Sequence, residues 1–60
     1  MSLEERVLEK INHNPGQLAR DMASELGVNK KAVNSVLYGK LKDLVWQDKS
    51  YRWYPKDRLQ

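Results

Sequence analysis

Apolar side chains recur at helical spacing in three successive segments of the chain, of which the first is residues 2–12. One face of this predicted helix carries four apolar residues, namely Leu3, Val7, Leu8 and Ile11. Ser2 and Glu5 have the spacing of a capping box, in which each side chain accepts a hydrogen bond from the backbone N–H of the other residue. The sequence Asn14-Pro15-Gly16 then predicts a turn, because proline disfavours helical geometry in the residue before it.

The second segment, residues 18–27, predicts a helix whose apolar stripe consists of Leu18, Met22 and Leu26. The small residues Ala19 and Ala23 lie beside this stripe and would allow another helix to approach closely. Gly27 is expected to follow the last helical turn in the left-handed conformation. We interpret Met22 as a core residue, since flexible thioether side chains fill irregular spaces between helices.

The third segment, residues 29–42, carries two stripes on roughly opposite sides of a predicted helix that Asn29 would cap. The apolar stripe consists of Val33, Val36, Leu37 and Leu41. The polar stripe consists of Lys31, Asn34, Ser35, Tyr38 and Lys42. Only Val28 and Asn29 separate this helix from Gly27, which is the short connection of a helix-turn-helix. An aromatic ring on a wet face buries little surface without a partner, so Tyr38 favours a recognition helix over a core helix with a solvated outer face.

After residue 42 the helical pattern gives way to alternation of β-favouring and polar residues. This change predicts a β-hairpin with strands at 44–47 and 51–54 and a polar turn at 48–50. Alternation places Trp53 on the same face as Tyr51 and opposite Arg52, without deciding which face is buried. Pro55 would end the second strand, because it has no N–H for a further ladder bond.

Three helices followed by a hairpin predict an α+β fold with the element order of a winged helix-turn-helix, in which the two-stranded hairpin is the wing. We assign residues 1–55 to one winged helix domain, since a chain of 60 residues has room for one core only. Residues 56–60 lack apolar periodicity and are expected to be a frayed end or the start of a linker. Such a linker would allow the domain to be part of a longer chain.

The net charge of +3 is unevenly distributed along the chain. Residues 1–28 contain three basic and five acidic side chains, whereas residues 29–60 contain eight basic and three acidic ones. The positive charge is therefore concentrated in the third helix and the hairpin. This distribution predicts a polyanionic partner.

Several classes of protein are disfavoured by what the sequence lacks. There is no cysteine and no apolar run that predicts a signal peptide or a membrane span, so we expect an intracellular protein, in the cytoplasm or with the nucleoid or nucleus. No phosphate loop or catalytic constellation is present, and we expect no enzymatic activity, cofactor or small-molecule substrate. His13, a single histidine without partners at ligand spacing, is interpreted as a solvated helix end rather than a metal ligand.

The sequence from 26 to 38, Leu-Gly-Val-Asn-Lys-Lys-Ala-Val-Asn-Ser-Val-Leu-Tyr, followed by a wing tryptophan, resembles the Zα family of winged helix domains. Members of this family bind left-handed Z-form DNA and RNA. The resemblance implies that Lys30 and Lys31 contact phosphate and that Asn34 donates a hydrogen bond to phosphate. It also implies that Tyr38 lies against a syn guanine and that Trp53 packs beside Tyr38.

These arguments predict a domain that binds the phosphate backbone of duplex DNA or RNA through its third helix and wing, with a Z-form preference implied by the resemblance. The candidate binding residues are Lys30, Lys31, Asn34, Ser35, Tyr38, Lys42, Lys49, Arg52 and Trp53. Two alternatives stay open at this point. A winged helix can dock another protein, and it can position DNA as an accessory module of a larger helicase or nuclease.

Overall fold

The computed structural model describes residues 2–56, which form three helices and a three-stranded antiparallel sheet. In chain order the elements are α1 (Leu3–His13), β1 (Gln17–Leu18), α2 (Ala19–Leu26), α3 (Lys30–Tyr38), β2 (Val45–Gln47) and β3 (Arg52–Pro55). The predicted α+β class and the order of the three helices and the hairpin are confirmed. Of the tail, Lys56 is described and its backbone N–H donates to the Leu44 carbonyl at 2.9 Å, whereas residues 57–60 lie outside the described residues.

Helix α1 begins at the predicted capping box. The Ser2 hydroxyl accepts from the Glu5 backbone N–H at 3.3 Å, and the Glu5 carboxylate accepts from the Ser2 backbone N–H at 2.9 Å. Val7 and Ile11 are fully buried on its inner face. None of the helices in residues 2–56 is long and apolar enough to cross a bilayer.

The sheet contains a strand that the sequence pattern did not predict. Gln17 and Leu18 form β1, so the sheet has three strands rather than two and α2 begins at Ala19 rather than Leu18. Gln17 pairs with Trp53, which makes β3 the central strand between β1 and β2. Two residues are too few to show alternation, and their pairing partner comes from the far end of the chain.

Helix α3 is shorter than predicted. Asn29 caps it as expected, with its side-chain oxygen accepting from the Ala32 N–H at 2.8 Å, but the helix ends at Tyr38 instead of continuing to residue 42. The backbone leaves helical geometry at Gly39, with φ of −107° and ψ of −100°, and a Cβ there would lie 2.7 Å from the Ser35 carbonyl oxygen, so this end of the helix requires glycine. Leu41 still reaches the core, but it does so from the turn after the helix.

The core lies between the helices and one face of the sheet. Its largest fully buried side chains are Val7, Ile11, Met22, Val33 and Leu37. Trp53 and Val45 join this cluster from the sheet, so the Trp53 face of the hairpin is the buried one. Among residues 2–56 no polar or charged residue is buried, and the charged side chains all reach the surface.

The prediction that the side chains of Tyr51 and Trp53 lie on the same face of the second hairpin strand is wrong. The strand β3 begins at Arg52, and Tyr51 belongs to the preceding turn with a left-handed φ of +67°. Its side chain is 70% exposed, whereas that of Trp53 is only 4% exposed. A left-handed residue reverses the direction of the chain, so the alternation of side chains does not extend through it.

Candidate functional site

Tyr38 and Trp53 pack edge to face at the junction of α3 and the hairpin. Their ring centroids are 5.3 Å apart and their planes are inclined at 75°. Tyr38, the last residue of α3, is 61% exposed, whereas Trp53 is almost fully buried. The packing that the family resemblance implied is therefore present, with Trp53 supporting Tyr38 from the core side.

A second contact holds the same tyrosine from β2. The Tyr38 hydroxyl donates to Oε1 of Gln47 at 3.2 Å, and Gln47 is the cross-strand partner of Trp53. Sequence reasoning missed Gln47, although its position two residues after the buried Val45 placed it on the core face of the strand. The exposed ring of Tyr38 is thus fixed by its packing against Trp53 and by the hydrogen bond of its hydroxyl.

Tyr38 lines a cleft of about 500 Å³ between α3, the start of α2 and the β2–β3 turn. Two other side chains of α3, Lys30 and Asn34, line the same cleft two turns and one turn before Tyr38, respectively. The remaining lining residues are Leu18, Ala19, Arg20, Gln47, Ser50 and Tyr51. Arg20 and Tyr51 are additions to the predicted site, and only tertiary packing brings them to α3.

The polar stripe predicted on α3 divides in the structure. Asn34 and Tyr38 face the cleft, whereas Ser35 lines a separate depression beside α1, with Leu3 and Glu4 on its other side. Lys31 is exposed but does not line the cleft. The residues that α3 contributes to the cleft follow the spacing i, i+4, i+8 from Lys30, and Ser35 lies off that line.

The other basic residues of the predicted site also lie away from the cleft. Lys42 and Lys49 are exposed and do not line it. The guanidinium of Arg52 donates through Nη1 to the Gly16 carbonyl at 2.8 Å and so ties β3 to the turn after α1. Arg52 points to the face of the sheet opposite Trp53, as alternation predicted, and already has a structural partner there.

The β2–β3 turn is organised by the carboxylate of Asp48. Its Oδ1 accepts from the backbone N–H groups of Ser50 at 2.8 Å and Arg52 at 3.0 Å, and its Oδ2 accepts from the Tyr54 hydroxyl at 2.9 Å. The Arg52 N–H holds the pKa of Asp48 below its usual value, with further help from the hydrogen bonds of Tyr54 and Ser50. The same carboxylate raises the pKa of Tyr54.

Tyr54 in turn stacks on Trp46 across the strands, with ring centroids 4.7 Å apart and an interplanar angle of 24°. This pair lies on the outer face of the sheet, opposite the Tyr38 and Trp53 pair. The turn that carries Ser50 and Tyr51 is therefore anchored by one carboxylate and one aromatic stack.

Several lysines of the basic half form no ion pair within residues 2–56. The pairs within residues 2–56 are Lys10 with Glu25, Arg20 with Asp21 at 3.8 Å, and Lys40 with Glu4 at 3.4 Å. In this part of the chain no ion pair involves Lys30, Lys31, Lys42 or Lys49. Lys30 and Lys31 at the start of α3 therefore have no ion-pair partner among these residues, whereas the hairpin turn also contains the carboxylate of Asp48.

The chemistry of the cleft is that of a binding surface. It offers two tyrosine rings, the amide groups of Asn34 and Gln47, and two cations, and no acidic side chain from residues 2–56 lines it. Within the described part of the chain, no group of histidine, cysteine, aspartate or glutamate is placed to hold a metal ion. Comparisons with protein-family models, curated proteins and solved structures return no match to this chain.

Proposed function

We propose that this chain is a winged helix-turn-helix domain that binds nucleic acid, with α3 as the recognition helix and the β2–β3 hairpin as the wing. The observation that carries the proposal is the exposed Tyr38 ring, which Trp53 and Gln47 hold beside Lys30 and Asn34. The short connection from Gly27 to Asn29 and the position of the hairpin next to α3 fit the same layout.

A fixed and exposed aromatic ring suits a ligand that has a flat π surface. Because the Tyr38 ring already packs against Trp53 and its hydroxyl is hydrogen-bonded, it loses little conformational freedom when a base or sugar contacts it. Asn34 lies one turn earlier and can donate from its side-chain amide to a phosphate oxygen. Nucleic acid combines these two chemistries in one molecule.

The start of α3 suits the phosphate backbone. Its first turn contains Lys30 and Lys31 and no acidic residue, although the positive end of a helix dipole favours carboxylates there. An approaching phosphate would offset this unfavourable arrangement, since it would meet both lysines and the positive end of the helix. The two lysines thus lower the stability of α3 in the free domain and raise its affinity for phosphate in the complex.

The resemblance to the Zα family supports a preference for the left-handed form of the duplex. In that reading Tyr38 lies against a syn guanine while Lys30, Lys31 and Asn34 contact the neighbouring phosphates. The preference would appear as a change in DNA conformation, because a ligand shifts an equilibrium by its differential affinity for the two forms.

The test is an amide chemical-shift titration with three DNA molecules: a mixed-sequence B-form duplex, an alternating CG duplex and a single strand. Nucleic-acid binding predicts shifts concentrated in α3 and the β2–β3 turn. Circular dichroism of the alternating CG duplex at moderate salt is expected to invert on saturation with the domain. Tyr38→Ala should lose most affinity for this duplex, by about 1–3 kcal/mol if its ring stacks on a base, and keep its B-form binding through the lysines.

Leu44→Ala is the matched control, because Leu44 is 50% exposed and lines a different depression, beside Leu8 and Pro55. It should bind all three DNA molecules as the wild type does. A spectrum that stays B-form at saturation would remove the Z-form preference even if binding is tight. Shifts confined to the Leu44 side of the molecule would contradict the proposed interface.

A further inference from the structure

Tyr51 combines high exposure with an unfavourable backbone conformation. Its side chain is 70% exposed, and its φ of +67° lies in the left-handed region that glycine or asparagine occupies at lower cost. It is the only residue other than glycine with a positive φ in residues 2–56. A large aromatic residue therefore stands where turn geometry alone would favour a small one.

The surrounding turn keeps Tyr51 in this conformation. Its backbone N–H donates to the Asp48 carbonyl at 3.1 Å, and the Asp48 carboxylate accepts from the N–H groups of the residues on both sides of it. These bonds fix the backbone independently of the tyrosine ring, which makes no hydrogen bond to another described residue. The ring is free to contact a ligand, and strain held at an exposed position of this kind is typical of binding sites.

Tyr51 shares the cleft with Tyr38, which reaches it from α3. The two rings belong to different walls, one on the hairpin turn and the other at the end of the recognition helix. Arg20 and Lys30 supply positive charge, and none of the acidic residues in the described part of the chain lines the space between the walls. A volume of about 500 Å³ lies within the usual range of ligand sites. The matching occupant is a flat ring that carries an attached anion.

We infer that this cleft receives one unpaired nucleotide, an inference that rests on the proposed function. Its base stacks on Tyr51 and Tyr38, and its phosphate lies near Arg20 and Lys30. The faces of bases inside an uninterrupted duplex are covered by neighbouring bases, so the nucleotide must come from a bulge, an end or a single strand. Phosphate contacts along α3 bind the flanking duplex, and the cleft makes the domain prefer a nucleic acid that contains an unpaired nucleotide.

The experiment compares one duplex in two forms, with a single 2-aminopurine either paired or as a one-nucleotide bulge. Wild-type domain should bind the bulged duplex more tightly, and stacking in the cleft should quench the fluorescence of the bulged base. Tyr51→Gly should lower affinity for the bulged duplex about 5- to 140-fold, which is the stacking range of about 1–3 kcal/mol at 1.4 kcal/mol per tenfold. Its affinity for the paired duplex should fall by a smaller factor, so that the preference for the bulge is lost.

Glycine is the informative replacement because it accepts the positive φ without strain. Tyr51→Gly should therefore fold with an unchanged or higher melting temperature, and lost binding cannot be attributed to unfolding. Tyr51→Phe should keep the preference for the bulge, since it retains the ring. Leu44→Ala again serves as the exposed control outside the cleft and should behave as the wild type.

The outcomes separate this inference from the proposed function. If the wild type binds the paired and bulged duplexes equally, or if Tyr51→Gly keeps the bulge preference, the nucleotide site is wrong while nucleic-acid binding stands. If the wild type binds neither duplex at low salt, the proposed function fails and the inference fails with it. A bulge preference that Tyr51→Gly removes and Tyr51→Phe retains supports both.

Discussion

At the scale of the residue, the stability of the β2–β3 turn depends on pH through the carboxylate of Asp48. Its folded-state pKa is lowered chiefly by the Arg52 N–H, whereas an unfolded aspartate titrates near about 3.9. Between these two values the unfolded chain binds more protons, so the folded turn becomes more stable as the pH rises. The contribution of Asp48 is fully present above the unfolded value and is lost as the pH falls through the folded-state pKa.

We therefore expect the backbone amides of Ser50 and Arg52 to shift in an acid titration, at a pH below that of an ordinary aspartate. Asp48→Asn should destabilise the turn at neutral pH and abolish this titration, because the neutral amide cannot serve all three donors equally well. The amide resonances of the two residues report the change directly. Asp43→Asn removes an equal charge from the preceding turn and should leave both resonances as in the wild type.

At the scale of the element, the start of α3 couples stability to binding with opposite signs. Lys31 is exposed in the first turn, where the helix dipole disfavours a cation. Lys31→Glu should raise the stability of the free domain by about 0.3–1 kcal/mol and weaken binding to duplexes of every sequence by a similar factor, since a phosphate contact carries no sequence information. Thermal unfolding and a set of binding isotherms measure the two effects.

A matched control lies on the side of α3 that faces away from the cleft. Ser35→Glu adds a negative charge to the same helix, beside Lys40 and the depression next to α1. It should weaken binding less than Lys31→Glu does. A Lys31→Glu variant that unfolds would contradict the exposed orientation of Lys31, and one that binds as tightly as the wild type would show that the first turn of α3 does not meet the ligand.

At the scale of the whole molecule, the charge asymmetry predicts how binding responds to salt. The acidic first half and the basic second half concentrate positive charge on α3 and in the turns that follow it, and within residues 2–56 no ion pair involves Lys30, Lys31, Lys42 or Lys49. If four of these cations meet phosphates, the logarithm of the binding constant should fall against the logarithm of salt concentration with a slope of about −3.6 for B-form DNA. Fluorescence anisotropy over a range of salt concentrations measures this slope.

The lysine variants calibrate the same measurement. Replacement of one lysine that contacts phosphate, such as Lys30→Gln, should reduce the magnitude of the slope by about 0.9. Arg52→Gln should reduce it less, because the Arg52 guanidinium is engaged by the Gly16 carbonyl. A flat salt dependence would favour a protein-docking role for the domain over nucleic-acid binding.

The features that could be predicted from the sequence depend on interactions between residues that are close together in the chain. The caps at Ser2 and Asn29 and the left-handed Gly27 depend on residues a few positions apart. So do the two buried stripes, which contain Met22 on α2 and Leu37 on α3. The same holds for the exposed Tyr38 on α3, since helical periodicity separates it from the core face. These features predicted the three helices and the exposed position of Tyr38, and the alternation after residue 42 predicted the hairpin.

The tertiary structure alone decided the rest of the cleft. Strand β1 exists because β3 supplies its hydrogen bonds, and Gln47 reaches the Tyr38 hydroxyl because β2 lies beside α3. Arg20 and Tyr51 line the cleft because α2 and the β2–β3 turn converge on α3. Each of these contacts joins residues that are distant in the chain, and no periodic pattern encodes such a distance. Helical and strand periodicities describe which face of an element is buried, whereas packing determines which elements meet.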